Sequence, residues 1–234
     1  MTATGRNKGR IITATTAANT TKADTPGTII RSAERLFASR GIDGVSLREI
    51  NRAAGQRNAS ALQYHFGDRN GLVRAIIEKH RADTDPRRHA LLDQYEATGV
   101  IDLPALASAL VLPLAAKLAD PDGGRAYLQI NCDVYTRATS LVELVPRKDP
   151  KSSIRRWHEL LDPLVSDEER RVLHSRFATI RFAFVELARR AVAPPRRDDR
   201  LFTSQLIDLV TALLATQPSD TTMRLLGQRK RASR

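Results

Sequence analysis

The sequence contains a single cysteine, Cys132, among 234 residues. One thiol cannot form an internal disulfide, which excludes a secreted scaffold held by disulfides and indicates a reducing compartment. Apart from Arg137, no neighbour in the sequence would obviously lower the pKa of this thiol. We therefore expect Cys132 to be a buried small hydrophobe rather than a reactive group.

Motifs of catalysis are also lacking. The five histidines include no pair at metal-ligand spacing such as H-E-x-x-H, and there is neither a glycine-rich phosphate loop nor a G-x-S-x-G turn. Asp83 and Asp85, near His89, come closest to a metal cluster, but a solvated loop before Pro86 explains them better. We expect a protein that is not an enzyme, with no catalytic residue, no metal and no cofactor.

No apolar run is long enough for a membrane span. The most hydrophobic stretch, residues 101–119, is interrupted by Asp102, two prolines and Lys117. It falls short of the roughly 20 apolar residues that cross a bilayer. Residues 1–26 lack the apolar core of a signal peptide. We expect a cytoplasmic protein that does not associate with a membrane.

Positive charge is what the chain has in excess. The formal net charge is +12 and the sequence pI is about 10.6. Clustered lysine and arginine favour polyanionic partners, because binding releases the counterions condensed on phosphate backbones. Two basic segments, 1–26 and 218–234, are predicted to be flexible tails, because the first is too poor in apolar residues to fold alone.

Residues 27–72 have the pattern of three short helices. Apolar residues after Thr28 recur at spacings of three and four until Gly41 ends the run. Ser46 followed by Glu49 is a capping box, which predicts the start of a second helix. A third helix follows after a glycine turn. This succession has the outline of a helix-turn-helix.

The rest of the chain is also helical in pattern, so the predicted fold class is all-α. A connecting helix is expected to reach about residue 85, and a larger helical body is expected over 86–217. Near the end of that body, apolar residues recur in alternating steps of four and three, a spacing that suits one helix packed along another. They form two series: Leu173, Phe177, Ile180 and Phe184, then Phe202, Leu206, Leu209 and Leu213.

Four short motifs in residues 28–72 together resemble the N-terminal DNA-binding domain of the TetR family of bacterial transcriptional regulators. They are A-x-x-L-F (Ala33, Leu36, Phe37), G-x-x-G-x-S (Gly41, Gly44, Ser46), I-x-x-A-A-G (Ile50, Ala53, Ala54, Gly55) and Y-H-F-G (Tyr64, His65, Phe66, Gly67). The resemblance implies a helix-turn-helix head and a helical body that binds a small molecule. It also implies a homodimer, formed through the last two long helices, that represses transcription from a palindromic double-stranded DNA operator.

A recognition helix buries one face and presents polar groups to the major groove. Leu62 and Phe66 are expected to face inward, while Gln63 could bond to adenine and Tyr64 and His65 could reach phosphates. Tyr64 as a merely structural aromatic remains an alternative. The other candidates for contact with DNA lie in the turn and near helix N-termini: Ser46, Arg48, Arg57, Asn58, Ser60 and Arg69. Ser46 is first of all a helix cap.

The body offers weaker signals for an effector site. Pockets for small molecules are mostly apolar with a few placed polar groups. Side chains of that kind stand in the helical body at Tyr127, Asn131, Tyr135, Trp157, His158 and Phe182. Each could equally be ordinary packing. Few acids occur among them, which favours a neutral or anionic effector over a cationic one.

Two other functions stay open at this point. A non-specific or architectural DNA-binding protein would use the basic tails and bind all sequences alike, with steep salt dependence. A helical binding module without DNA activity would leave Gln63, Tyr64 and His65 unexplained.

Overall fold

The computed structural model describes residues 25–56, 60–137, 149, 151–165 and 175–232, and every regular element in these ranges is helical. The all-α prediction is confirmed. The α-helices are α1 (Thr25–Arg40), α2 (Leu47–Ala53), α3 (Ala61–Phe66), α4 (Arg69–Thr98), α5 (Leu103–Ala115), α6 (Gly124–Thr136), α7 (Ser153–Leu161), α8 (Ser175–Val192), α9 (Arg200–Ala215) and α10 (Asp220–Ala232). Short 3-10 turns, Ala116–Leu118 and Asp162–Leu164, extend α5 and α7.

Local signals define the start of α2 as the sequence predicts. The Ser46 hydroxyl accepts the Glu49 N–H at 3.2 Å, and the Glu49 carboxylate accepts the Ser46 N–H at 2.8 Å. The bonds from Ser46, aided by the Arg40 guanidinium, lower the pKa of Glu49 to about 2. Gly41, at φ 75°, ends α1 in a left-handed conformation that favours glycine. The capping box is confirmed.

The predicted loop before Pro86 is wrong, because α4 runs through it without a break. A proline inside a helix removes one backbone hydrogen bond. Ion pairs along the helix brace the same turn: Arg81 with Asp85 at 2.8 Å, and Arg87 with Asp83 at 2.6 Å. The helix therefore extends from the head into the body without a break at residue 85.

The prediction of a flexible tail over 218–234 is wrong for most of this segment, because α10 occupies residues 220–232. Ser219 accepts the N–H of Thr222 at 3.3 Å, and Asp220 lies in the first turn, where a negative charge favours the helix. The sequence interpretation gave weight to charge and overlooked this start signal. The predicted N-terminal tail is outside the described residues up to residue 24.

The buried apolar residues form two clusters. One fills the body between α4, α5, α6, α7, α8 and α9, with Trp157 completely buried. The other fills the head around Phe37 and Leu62 and includes Ile130 and Val134 of α6. Because α6 contributes to the head cluster, the head core is closed by a helix of the body.

Polar contacts reinforce that junction at the turn between α1 and α2. The Ile42 N–H donates to Asp133 of α6 at 2.9 Å, and the Ile42 carbonyl accepts from Arg69 of α4. Arg137 donates to Asp133 at 2.8 Å and also to Asp43 of the turn. The turn is thereby held from both α4 and α6.

Cys132 lies on α6 and is half-buried, not fully buried as predicted. Burial raises the pKa of its thiol, and Asp133 acts in the same direction. Both effects disfavour the reactive thiolate.

No helix in the described ranges is both long and apolar enough to span a bilayer.

Candidate nucleic-acid interface

Helix α3 is oriented by one buried face. Leu62 is buried in the head core, and Phe66 packs against that core while partly exposed. On the other side, Gln63, Tyr64 and His65 are all exposed. The predicted orientation of α3 is confirmed. That these side chains contact DNA remains a prediction.

Tyr64 projects into solvent. It is 85% exposed, and its ring meets that of His65 edge-on, with centroids 5.0 Å apart. The His65 ring lies 6.1 Å from that of Phe66, so it stands between the exposed tyrosine and the head core. The alternative of a purely structural Tyr64 is therefore not supported, since most of its surface contacts nothing in the head.

The corner between α3 and α4 is tight. Gly67 ends α3 at φ 74°, and Asp68 caps α4 by accepting the Gly71 N–H at 2.7 Å. A Cβ on Gly71 would lie 1.8 Å from the Phe66 carbonyl oxygen, so only glycine fits there. This close approach fixes the C-terminal end of α3, where Tyr64 and His65 are located.

The N-terminal end of α3 is only partly described. Ser60, at the start of the helix, is exposed, and its backbone carbonyl accepts the Tyr64 N–H at 2.8 Å. Arg57 and Asn58 lie outside the described residues. Their predicted contacts with DNA remain predictions.

Helix α2 presents unpaired cations. Arg48 and Arg52 are exposed, and neither forms an ion pair or hydrogen bond with the described part of the chain. Four residues apart, they share one face of α2. Arg52 is not among the residues predicted to contact DNA, although its spacing from Arg48 was a usable signal. Together they add positive charge beside α3.

Two of the residues predicted to contact DNA, Ser46 and Arg69, also form hydrogen bonds within the protein. The Ser46 hydroxyl donates to the Glu49 carboxylate at 2.7 Å, in addition to capping α2. Arg69 is partly buried and donates to the carbonyl of Ile42. A phosphate contact by either residue would be a second role.

The predicted effector residues lie mostly in the body core. Trp157 donates its indole N–H to the Leu106 carbonyl at 2.7 Å, and Asn131 donates to the Tyr127 carbonyl at 3.0 Å. Tyr135 is also buried and stacks on Phe184, with centroids 5.0 Å apart. His158 and Phe182 are partly exposed. An effector contact by any of the six remains a prediction.

Three surface clefts in the described part of the chain have volumes of about 490, 430 and 330 Å³. The largest lies where α4 meets the turn before α6 and is lined by Lys79, His80 and Asp120 among others. None of the three clefts is lined by a predicted effector residue.

The predicted dimer residues divide into two groups. Ile180, Phe184 and Leu206 are buried in the core of a single protomer, which corrects their assignment to an interface. Leu209 and Leu213 are exposed, and Phe202 is partly buried. Leu173 and the side chain of Phe177 are outside the described residues.

Two exposed apolar residues of α8 and α9 were not among the residues predicted for the dimer interface. Val192 is 72% exposed at the end of α8, and Leu201 is 73% exposed at the start of α9. Leu201, Leu209 and Leu213 lie at multiples of four along α9 and so share one face. In the sequence, these three leucines form a second apolar series along α9, beside the series of the same helix that fills the core.

Metal-ligating side chains do not converge in the described ranges. No group of three or more histidine, cysteine, aspartate or glutamate side chains there could hold a metal ion.

Comparison with known proteins finds a family model that matches the head, and similar solved structures. Residues 29–76 match the family model described as bacterial regulatory proteins, tetR family. Similar solved structures include a HlyIIR mutant with an alanine-substituted segment (16% identity, 84% of this chain and 98% of that chain, TM-score 0.49). They also include a putative TetR-family transcriptional regulator from Mesorhizobium loti (16% identity, 82% of this chain and 95% of that chain, TM-score 0.43). A third is RolR with the ligand resorcinol (18% identity, 84% of this chain and 95% of that chain, TM-score 0.43).

No curated protein matches the chain. The family prediction rests on the head, because the matched residues 29–76 include α2, α3 and all four of the short sequence motifs. The predicted resemblance is therefore confirmed for the head, since residues 29–76 match the tetR family of bacterial regulatory proteins.

Proposed function

We propose that the protein is a homodimeric transcriptional repressor that recognises a palindromic operator and releases it when a small molecule binds to the body. The observation that carries the proposal is the two-sided character of α3. Leu62 anchors one face in the head core, and Gln63, Tyr64 and His65 are exposed on the other. An exposed aromatic and two hydrogen-bonding side chains beside it suit a helix that enters the major groove.

In this proposal each side chain has its own task. Gln63 reads an adenine through paired hydrogen bonds, which gives base preference. Tyr64 and His65 bond to phosphates and fix the register of α3. Arg48 and Arg52 add attraction to the backbone, which is independent of sequence and sensitive to salt.

Dimerisation is supported by the outer faces of α8 and α9. Val192, Leu201, Leu209 and Leu213 are large apolar side chains exposed on neighbouring helices. Such a face is costly to leave in water and is typical of a contact between subunits. Pairing it with the same face of a second copy would place two heads on one DNA molecule.

The effector response follows from how the head is attached. Helix α4, which extends from the head into the body, and α6, which belongs to the body, both hold the turn at Ile42. A ligand that favours another arrangement of these helices would change the separation of the two heads. Operator affinity then falls by the ratio of the ligand affinities for the two arrangements.

The test is selection of bound fragments from a random DNA pool, followed by fluorescence anisotropy with the selected and a scrambled duplex at about 150 mM salt, near physiological ionic strength. We expect a palindrome whose half-sites lie about 34 Å, or a multiple of it, apart. Equal affinity for both duplexes would instead support the non-specific DNA-binding function.

A further inference from the structure

Helix α1 of the head carries a buried carboxylate that α4 binds. Glu34 lies in the middle of α1 with 2% of its surface exposed. Both of its carboxylate oxygens accept from the Lys79 ammonium at 3.1 Å, and its Oε1 also lies 2.9 Å from Nε2 of His80. Two residues of α4 therefore hold one residue of α1. We refer to Glu34, Lys79 and His80 as the Glu34 cluster.

The body closes over the same carboxylate. A Cβ on Gly123, in the turn before α6, would collide with Glu34, so only glycine, here at φ 83°, allows the turn to pass so close. On α6 itself, Tyr127 packs against His80, with ring centroids 4.5 Å apart. The Glu34 cluster thus joins α1 to α4, to the turn before α6 and to α6.

The charges of the Glu34 cluster are compensated, so the cluster is an ordered set of ion pairs. Lys79 also pairs with Asp122 at 3.0 Å. Buried ion pairs contribute little net stability, because the desolvation of two charges offsets their attraction. Charge-assisted hydrogen bonds nevertheless require a definite geometry, whereas apolar packing has no preferred direction. The contribution of Glu34 is therefore mainly to the direction of α1.

A second polar attachment lies just beyond the end of α1, where the Ile42 N–H donates to Asp133 at 2.9 Å. Helix α1 also packs on α6 through the head cluster, which includes Ile130 and Val134. Apolar packing alone would let α1 shift on α6, and a single polar attachment would leave a pivot. With Glu34 held as well as Ile42, the direction of α1 is fixed.

We propose that Glu34 is a positioning residue that determines which spacing of operator half-sites the dimer accepts. Because α1 packs against α2 and α3, the direction of α1 sets the direction of α3 and hence the separation of the two α3 helices in a dimer. Heads held in one direction bind one spacing tightly, since little of the population is in another arrangement. This inference rests on the proposed function and assigns its spacing preference to a buried residue that does not reach DNA.

The test is fluorescence anisotropy of the full chain with the selected operator and with duplexes in which base pairs are added or removed between the half-sites, about 3.4 Å each. The native protein should prefer the selected spacing. Glu34→Gln keeps the shape of the side chain without its charge, and should reduce this preference by roughly 10-fold, as expected for loss of charge-assisted hydrogen bonds. Affinity for scrambled DNA should stay the same, since the exposed side chains of α2 and α3 are untouched.

Glu78→Gln is the matched control. Glu78 is an exposed carboxylate of α4 that pairs with Arg81 at 3.1 Å, so this variant removes the same charge beside Lys79 without touching Glu34. It should retain the native spacing preference. Equal reductions in the two variants would show that net charge, and not the direction of α1, is responsible, and would contradict the assignment.

A merely structural role of Glu34 would appear as a lower thermal midpoint of Glu34→Gln with the native spacing preference unchanged, and this result would overturn the proposal. If Glu34→Gln does not fold, Lys79→Gln breaks the same ion pair from α4, at a residue that is only partly buried. It should reduce the spacing preference in the same direction. Native spacing preference in Lys79→Gln would then refute the role of the cluster.

Failure of the proposed function gives a different result. A native protein that binds the selected and the scrambled duplex equally would overturn both the function and the role of Glu34. A native protein that prefers the operator, with the same spacing preference in Glu34→Gln, would reject only the role of Glu34.

Discussion

Asp133 of α6 accepts the backbone N–H of Ile42 in the turn between α1 and α2, at 2.9 Å. This bond joins a helix of the body to the segment that immediately precedes α2. Arg137 donates to Asp133 at 2.8 Å and so fixes the direction of the carboxylate. The position of the head on the body is therefore determined partly by one side chain.

Replacing Asp133 by alanine should loosen that attachment. The Ile42 N–H would lose its acceptor and Arg137 one of its two carboxylates, at a cost of about 1–3 kcal/mol in the free energy of unfolding. Urea unfolding measures this cost, and anisotropy should show weaker operator binding. Asp43→Ala is the control, because it removes the other, exposed partner of Arg137 and should cost little.

Tyr64→Ala should weaken binding to all DNA sequences without harming the fold. Because Tyr64 is 85% exposed, the free energy of unfolding should change by no more than about 0.5 kcal/mol. Anisotropy titrations with operator and scrambled duplexes should both shift to weaker binding. Tyr64→Phe separates the hydroxyl from the ring. A variant that binds both duplexes as well as the native protein does would exclude the assigned phosphate contact.

Gln63→Ala should act on base preference instead. Loss of a paired bond to adenine should cost about 1–3 kcal/mol at one position of the operator and leave affinity for scrambled DNA nearly unchanged. Selection from a random pool with the variant measures this directly. If Gln63→Ala and Tyr64→Ala cause the same loss on every sequence, the separate roles given to them are incorrect.

Glu49 should contribute to stability in a pH-dependent way. Its pKa in the folded protein is about 2, below its ordinary value of 4.5, so the contribution is present above pH 4.5 and is lost as the pH falls towards 2. Glu49→Gln keeps a side chain able to complete the capping box but cannot titrate. The difference in thermal midpoint between the two proteins should therefore shrink across this pH range. A constant difference would argue against the interaction with Ser46.

Leu209→Glu should convert a dimer into monomers. Leu209 is 52% exposed in one protomer, so a charge there need not disturb the core but would be buried in the proposed interface. Light scattering after size-exclusion chromatography gives the mass. Leu225→Glu is a matched control, because Leu225 is 56% exposed on α10, outside that interface. Equal masses for native protein and Leu209→Glu would place the interface elsewhere.

The sequence predicts the head well because its signals are local. A capping box needs only Ser46 and Glu49, and Gly41 and Gly67 mark the turns by a backbone conformation that other residues rarely adopt. The inward and outward faces of α3 follow from Leu62, since a six-residue helix has few ways to bury one leucine.

The body could not be predicted equally well, because its contacts are distant in sequence. Pro86 suggests a helix end until the ion pairs around it are seen, and Arg88 appears as one charge among many until its burial is known. Periodicity identified the apolar positions of α8 and α9. It could not separate Leu206, which fills the core of its own protomer, from Leu209, which does not.

The continuity of α4 through Pro86 makes the helix a lever. Its 30 residues span about 45 Å at 1.5 Å per residue. A rotation of about 5° at the body end would displace the head end by about 4 Å. In a dimer with two such levers, the distance between the heads would change by up to twice that amount. A rearrangement too small to disturb the core could therefore shift the two heads away from the fixed spacing of successive major grooves.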